Sequence, residues 1–228
     1  MFLLFFCCTT LKATEHKDAL CPKQRDQDWS LQLQEFPLKR FSNLGLKENI
    51  LKRGIKAYQN AFKKGDTKSC LLTVIDYSRH SKHKRLWTIN LSTQKLVFHE
   101  WVSHGVGSDP DKNGQMDKAG NTSNSNMTSL GLFKTSETYY GKHGYSLRLD
   151  GLEKGFNDQA RERAIVIHQA DYMTSSFIKI RGRAGLSHGC PAVSPRISEQ
   201  LITTLKEGSL IFAYYPSDSW LKKSPYLK

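Results

Sequence analysis

Long apolar runs are almost absent from these 228 residues. The single clear one occupies residues 1–11, Met-Phe-Leu-Leu-Phe-Phe-Cys-Cys-Thr-Thr-Leu, and is too short to span a bilayer. A multi-span helical membrane protein is therefore excluded. Cysteine is scarce, with five in the chain, and neither a C-x-x-C nor an H-x-x-x-H pair occurs, which leaves a metal centre without support. Internal repeats are missing, so a solenoid or propeller is not expected. Compact basic tracts are missing too: Lys82, Lys84, Arg85, Arg161, Arg163, Lys222 and Lys223 are scattered, although the net charge is +13. That scatter argues against a nucleic-acid-binding arm. A basic surface of this kind serves solubility or draws the protein to an anionic envelope. A hydrophobic fraction of 38% with 11% aromatics suits a folded core and argues against general disorder.

The apolar run at the start has the length of a signal-peptide core, and Ala13 offers a small residue for cleavage, although no Lys or Arg precedes it. Residues 1–13 are expected to be a leader, with the mature chain exported to the cell envelope, periplasmic or otherwise outside the cytoplasm. No stable membrane insertion is expected once the leader is gone. Its removal deletes Cys7 and Cys8 and leaves Cys21, Cys70 and Cys190. An oxidising compartment could join Cys21 to Cys70 and leave Cys190 as the surplus thiol, although sequence gives no distance between them.

Residues 14–66 read as a polar segment followed by a helix over 47–63, where Ile50, Leu51, Ile55, Tyr58 and Phe62 fall near a 3.6 period. Strand signals follow over 71–77, 86–91 and 95–102, with Ser92-Thr93-Gln94 as a turn. Residues 104–131 form a long loop rich in Gly, Ser, Asn and Asp. Short strands are expected at 130–133, 146–149 and 164–168. Ser194-Pro195 opens a helix by N-cap and N1 chemistry, and Gly208 closes it. Residues 210–215 supply a last strand, and 218–228 read as a C-terminal tail. The fold expected is mainly β, a β-rich α+β arrangement with peripheral helices, over residues 67–217.

Chemistry concentrates in Gly185-Leu186-Ser187-His188-Gly189-Cys190-Pro191-Ala192-Val193. Gly189 permits unusual backbone angles, while Pro191 fixes φ and removes a donor. Such a turn can present a thiol and aim amides at one point, as an oxyanion hole requires. A thiol attacks as the thiolate and needs a base. His168, at the end of the apolar stretch Ala164-Ile165-Val166-Ile167, is the base expected; its 22-residue separation from Cys190 allows adjacency in space. The helix beginning at Pro195 has a positive end that can favour the same site. His104 and His143 sit beside glycines and are candidates to line the cleft. Asp109-Pro110-Asp111-Lys112-Asn113-Gly114 imitates the start of a calcium loop, but Gly120 occupies the place of the bidentate glutamate, so a polar surface loop is expected.

Ile167-His168 followed by Ser187-His188-Gly189-Cys190 resembles the signature of the YkuD-like L,D-transpeptidases, a histidine and then S-x-G-C. The Cys-Pro-Ala-Val continuation and the block Gly141-Lys142-His143-Gly144-Tyr145-Ser146-Leu147-Arg148-Leu149-Asp150-Gly151-Leu152 are similar to the murein L,D-transpeptidase catalytic domain subgroup. The resemblance spans about residues 70–215. It implies that family's mixed sheet or sandwich with peripheral helices. It also implies a cysteine thioester mechanism on peptidoglycan stem peptides, both donor and acceptor, without metal or organic cofactor. His168 would deprotonate Cys190, and amides around His188, Gly189 and Cys190 would hold the oxyanion. Ser187, His143, Arg148 and Gln169 are candidate substrate contacts.

Two departures stand out. Gln169 follows the histidine where the family has glycine, and Pro191-Ala192 replaces an arginine found soon after the cysteine in better-known members. Arg148, Arg181 and Arg183 are the candidates to bind a substrate carboxylate in its place. Carboxypeptidase or endopeptidase use of the same pair, and a non-catalytic basic wall-binding domain, are the rival readings.

Overall fold

The computed structural model describes residues 36–228. Residues 1–35, with the expected leader, Cys7, Cys8 and Cys21, lie outside the described residues. Two strands, β1 (Leu71–Asp76) and β8 (Leu210–Tyr214), run parallel at the centre of one eight-stranded mixed sheet. Both are buried along their whole length, as continuous apolar strands covered on two faces should be. β2 (Leu86–Asn90) and β3 (Lys95–Glu100) extend the sheet antiparallel on one side. On the other side, β8 is followed by β4 (Gly131–Gly141), β5 (Gly144–Gly151), β6 (Val166–Gln169) and the two-residue β7 (Ala192–Val193). β4, β5 and β6 pair antiparallel, and β6 pairs parallel with β7. The mainly β expectation is met.

After the short α1 (Leu38–Ser42) comes α2 (Glu48–Lys64), the helix read from the 3.6 period, which ends on Gly65 in the left-handed region. It packs on β1 and β8, and a Cβ at Gly54 would stand 3.3 Å from both Phe212 and Val74. Ile50, Leu51, Ile55 and Tyr58 belong to the main core. The helix is thus a layer of the domain rather than an appendage ahead of residue 67. α3 (Ser175–Arg181) is a short helix that no sequence period announced. α4 (Pro195–Leu205), capped by the Ser194 hydroxyl, covers β5 and β6.

Two readings need correction. The strands expected at 130–133 and 146–149 are a long hairpin, β4 and β5, joined through Lys142 and His143. Its outer half is half-exposed and polar, so apolar alternation fades although Thr and Tyr suit a strand. The expected tail, residues 218–228, includes α5 (Asp218–Lys223) and packs into the core. Trp220 is fully buried, and its indole donates to Glu153 at 2.9 Å. Glu153, also fully buried, accepts the Leu132 amide at 2.7 Å, which ties the C-terminal segment to β4. Tyr226 donates to Asp66 at 2.8 Å beneath the Lys64 ammonium. A helix of one or two turns with sparse apolar residues leaves little period to read, and one large aromatic does the anchoring.

Trp220→Ala should lower stability by about 3–5 kcal/mol, since a buried aromatic is lost and Glu153 loses a donor. Urea unfolding followed by fluorescence or circular dichroism checks this. A loss under about 1 kcal/mol would mean that the segment is dispensable.

Candidate active site

β6 delivers His168 and the Ser187–Pro191 turn delivers Cys190. The His168↔Ala192 register sets Cys190, two residues before Ala192, alongside Val166. The Val166 backbone hydrogen-bonds to the sulfur, and the Cys190 Sγ–H donates to the Ala164 carbonyl at 3.6 Å. Cys190 is half-buried and is the free cysteine among the described residues, whereas Cys70 is disulfide-bonded. Cys21, its expected partner, lies outside the described residues.

The turn is held by hydroxyls. Ser103 and Ser187 both donate to the Cys190 carbonyl, at 3.0 and 2.7 Å. Ser103 also accepts the Ala192 amide at 2.9 Å, and Ser187 the Gly189 amide at 3.1 Å. Gly189 has φ 112°, and a Cβ there would stand 2.6 Å from the Met127 carbonyl, so only glycine fits. These contacts revise two expectations. Ser187 is buried and engaged in bracing the turn, not open to substrate. The Gly189 amide is committed to Ser187, while those of His188 and Cys190 bond to no other described group.

Behind the turn, the chain at Gly105 bridges to Ser187: the Ser187 amide donates to His104 and the Val106 amide to Ser187. His104 is fully buried, so it supports this bridge rather than lining the cleft. Its Nδ1 accepts from Arg85 at 2.6 Å, and its Nε2 faces Asp109 at 3.2 Å. Burial and the Arg85 charge push the imidazole pKa well down, so a neutral ring joins guanidinium to carboxylate. Asp109 also accepts the amides of Asn113 and Gly114. The loop that imitates a calcium site is therefore closed on its own first carboxylate.

His168 is buried at the end of β6. Its Nδ1 lies 2.7 Å from the Gln169 carbonyl, which assigns the proton to Nδ1 and leaves Nε2 basic. Burial lowers its pKa, with smaller effects from His143 and Lys142, so the ring rests neutral. No hydrogen bond joins Cys190 to His168 among the described residues; each bonds to a carbonyl instead. Such pairs often tighten only when substrate is bound.

His143, at the β4–β5 hairpin tip, stacks on His168 with ring centroids 4.3 Å apart, and His188 is close enough to depress its pKa further. The exposed His143 thus covers one face of the candidate base, and the exposed His188 acts on His143. Gln169 is exposed, and its amide reaches the hairpin at Gly144. The arginines proposed for a carboxylate each have a partner within the protein. Arg148 pairs with Glu137 at 3.2 Å and lies over Tyr139. Arg181 lies over Phe177 at the end of α3, and Arg183 donates to the Ala184 carbonyl.

Sequence reasoning missed Ser103, the buried Arg85–His104–Asp109 network and Arg163. The Arg163 guanidinium donates to the Gly120 and Met127 carbonyls and to the Ser129 hydroxyl, and its Nη2 would stand 3.2 Å from a Cβ at Gly189.

Residues 42–214 match the family model described as the L,D-transpeptidase catalytic domain. The chain belongs to that family. Similar solved structures include an L,D-transpeptidase from Mycobacterium smegmatis, 16% identical, with 64% of this chain and 59% of that one covered and a TM-score of 0.40. Another is the helical cell shape determining protein Pgp2 from Campylobacter jejuni, 11% identical, covering 65% of this chain and 49% of that one, at a TM-score of 0.40. A third is L,D-transpeptidase 1 of Mycobacterium tuberculosis, 13% identical, covering 64% and 62%, at 0.35. The chain spans less than two thirds of the length of each. No functionally curated protein matches the sequence.

Two outcomes follow for this family member. Asp109→Ala should lower stability by about 3–5 kcal/mol, because Arg85 loses one of its two buried carboxylates, Asp76 being the other, and His104 and the Asn113 and Gly114 amides lose their acceptor; the urea midpoint reads this directly. Burial raises the Cys190 pKa above that of an ordinary thiol. Iodoacetamide should therefore modify Cys190 slowly at neutral pH and faster as pH rises, with an inflection on the alkaline side. An acid-side inflection would mean a resting thiolate–imidazolium pair instead.

Proposed function

We propose that this chain is a cysteine-dependent L,D-transpeptidase acting on peptidoglycan stem peptides. The observation that carries the reading is the β6–β7 register, which brings the Cys190 turn beside His168 within a chain of this family. In the proposed cycle His168 Nε2 takes the thiol proton, and the sulfur attacks the carbonyl of an L,D-linked residue in the donor. Amides of His188 and Cys190 hold the oxyanion. The C–N bond breaks, the imidazolium protonates the departing D-amino acid amine, and a thioester remains. An amine of a second stem then attacks, its proton passes to His168, the C–S bond breaks, and the thiolate leaves. The chemistry calls for no metal or organic cofactor. Water in place of the amine would give the carboxypeptidase reaction.

A wall substrate places the proposed site of action outside the cytoplasm. The apolar residues 1–11 support export. No described helix is long and apolar enough to cross a membrane.

Intact-protein mass spectrometry with a tetrapeptide donor should show a thioester on the wild type and none on Cys190→Ser. His168→Ala should reduce turnover by ~10²–10⁴-fold, the usual worth of general-base assistance. The two losses should not multiply in the double variant, since both groups serve one step. Near-normal turnover by a Cys190→Ser protein with native circular dichroism would overturn the nucleophile. Crosslinked dimer among the products supports transfer; a shortened peptide alone would reassign the enzyme to hydrolysis.

A further inference from the structure

Arg163 carries its charge against the nucleophile turn with no carboxylate paired to it among the described residues. Its hydrogen bonds go to neutral acceptors: Gly120 O at 3.1 Å and Ser129 Oγ at 2.5 Å from Nη1, and Met127 O at 2.6 Å from Nη2. The guanidinium is half-buried, and a partly desolvated cation is unfavourable unless an anion balances it. The balancing anion is placed by the chain itself. Nη2 abuts Gly189, the residue before Cys190, and the carbonyl of Ala164, the residue after Arg163, takes the Cys190 Sγ–H. The guanidinium and the sulfur therefore belong to the same pair of adjoining turns, each held within one residue of the other's backbone.

We propose that Arg163 is the counter-charge of the Cys190 thiolate, a positioning residue that favours loss of the thiol proton and straps the 120–129 loop along the nucleophile turn. This rests on Cys190 being the nucleophile. Transfer of the thiol proton to the neutral His168 leaves the net charge of the site unchanged: it creates a thiolate and an imidazolium together, and the Arg163 guanidinium is a second, fixed cation that favours the thiolate. Of the charged groups, Arg163 has the largest favourable effect on the thiolate, ahead of Lys142. The other titratable groups that sense the sulfur are Tyr77 and Tyr172, both held neutral by burial. His168 stands on β6, and Lys142 is exposed at the hairpin tip, where solvent and salt screen it.

The test is the pH dependence of iodoacetamide modification of Cys190, mapped by peptide mass spectrometry on wild type, Arg163→Met, Arg163→Lys and Lys142→Met. Arg163→Met should move the inflection to higher pH and slow modification at neutral pH roughly tenfold, one pKa unit. Arg163→Lys should recover most of that shift, because the charge survives although the planar fork does not. Lys142→Met should move it less. An unchanged inflection in folded Arg163→Met protein overturns the proposal. Should that variant fail to fold, Arg163→Gln, which keeps hydrogen-bond donors without charge, decides in the same way. Modification reads the thiol alone, whereas turnover by Cys190→Ser would sink the functional reading, so the two failures are distinguishable.

Discussion

Everything at the site depends on a two-residue parallel ladder, His168 opposite Ala192 and Gln169 opposite Val193. Side chains alternate along a strand, so a slip of one residue would turn Cys190 away from the face that carries His168. A ladder this short does not hold its own register. Ser103 and Ser187 hold it by gripping the Cys190 carbonyl from two sides, and the Gly105–Ser187 bridge anchors the same turn to the chain following β3. Cys190 is positioned by hydroxyls acting on its backbone, while its sulfur bonds, among the described residues, only to the backbone of residues 164 and 166.

Two arginines near this turn have opposite electrostatic settings. Arg85 is fully buried, and burial lowers its pKa to about 10, so it stays charged at neutral pH. That charge meets Asp109 through the neutral His104 ring. A satisfied buried network of this kind rigidifies its surroundings. Arg163, in contrast, has only carbonyl and hydroxyl acceptors. One charge is balanced in the folded scaffold and the other is left for the reaction, which separates structural from functional arginine on the geometry of their acceptors.

The central sheet was legible because strands buried on both faces read as unbroken apolar runs, as in residues 71–76 and 210–214, and α2 was legible from its 3.6 period. Cys190 and His168 stood out because glycine, proline and a surplus thiol met in one motif. What stayed hidden depends on partners distant in sequence. Arg163 sits in Arg161-Glu162-Arg163 and looks like any solvated surface run; only the fold brings the 120–129 carbonyls to it. Ser187 looked like a substrate contact because of the motif it stands in, whereas its backbone is bridged to Gly105, which lies far along the chain, and its hydroxyl is turned onto the Cys190 carbonyl. Trp220 was hidden because its partner, Glu153, is a carboxylate that composition assigns to the surface.

The resting state of the sulfur follows from its neighbours. Ala164 holds φ 53°, a left-handed conformation that costs a residue with a Cβ ~1–2 kcal/mol, and the Ile165 amide closes the turn on Ala160. That strained turn aims the Ala164 carbonyl at the thiol proton and so favours the neutral form. On the other side, the Val166 backbone and the Arg163 charge favour the thiolate. Burial tips the balance to the thiol, and His168 rests neutral with its Nδ1 proton on the Gln169 carbonyl. A neutral pair of this kind is a poor target for oxidants, which attack thiolates. Its ionisation must then be driven by whatever brings the sulfur and His168 Nε2 into contact. The His143 ring stacked on His168 covers that ring on one side, so the hairpin tip controls how His168 can be approached.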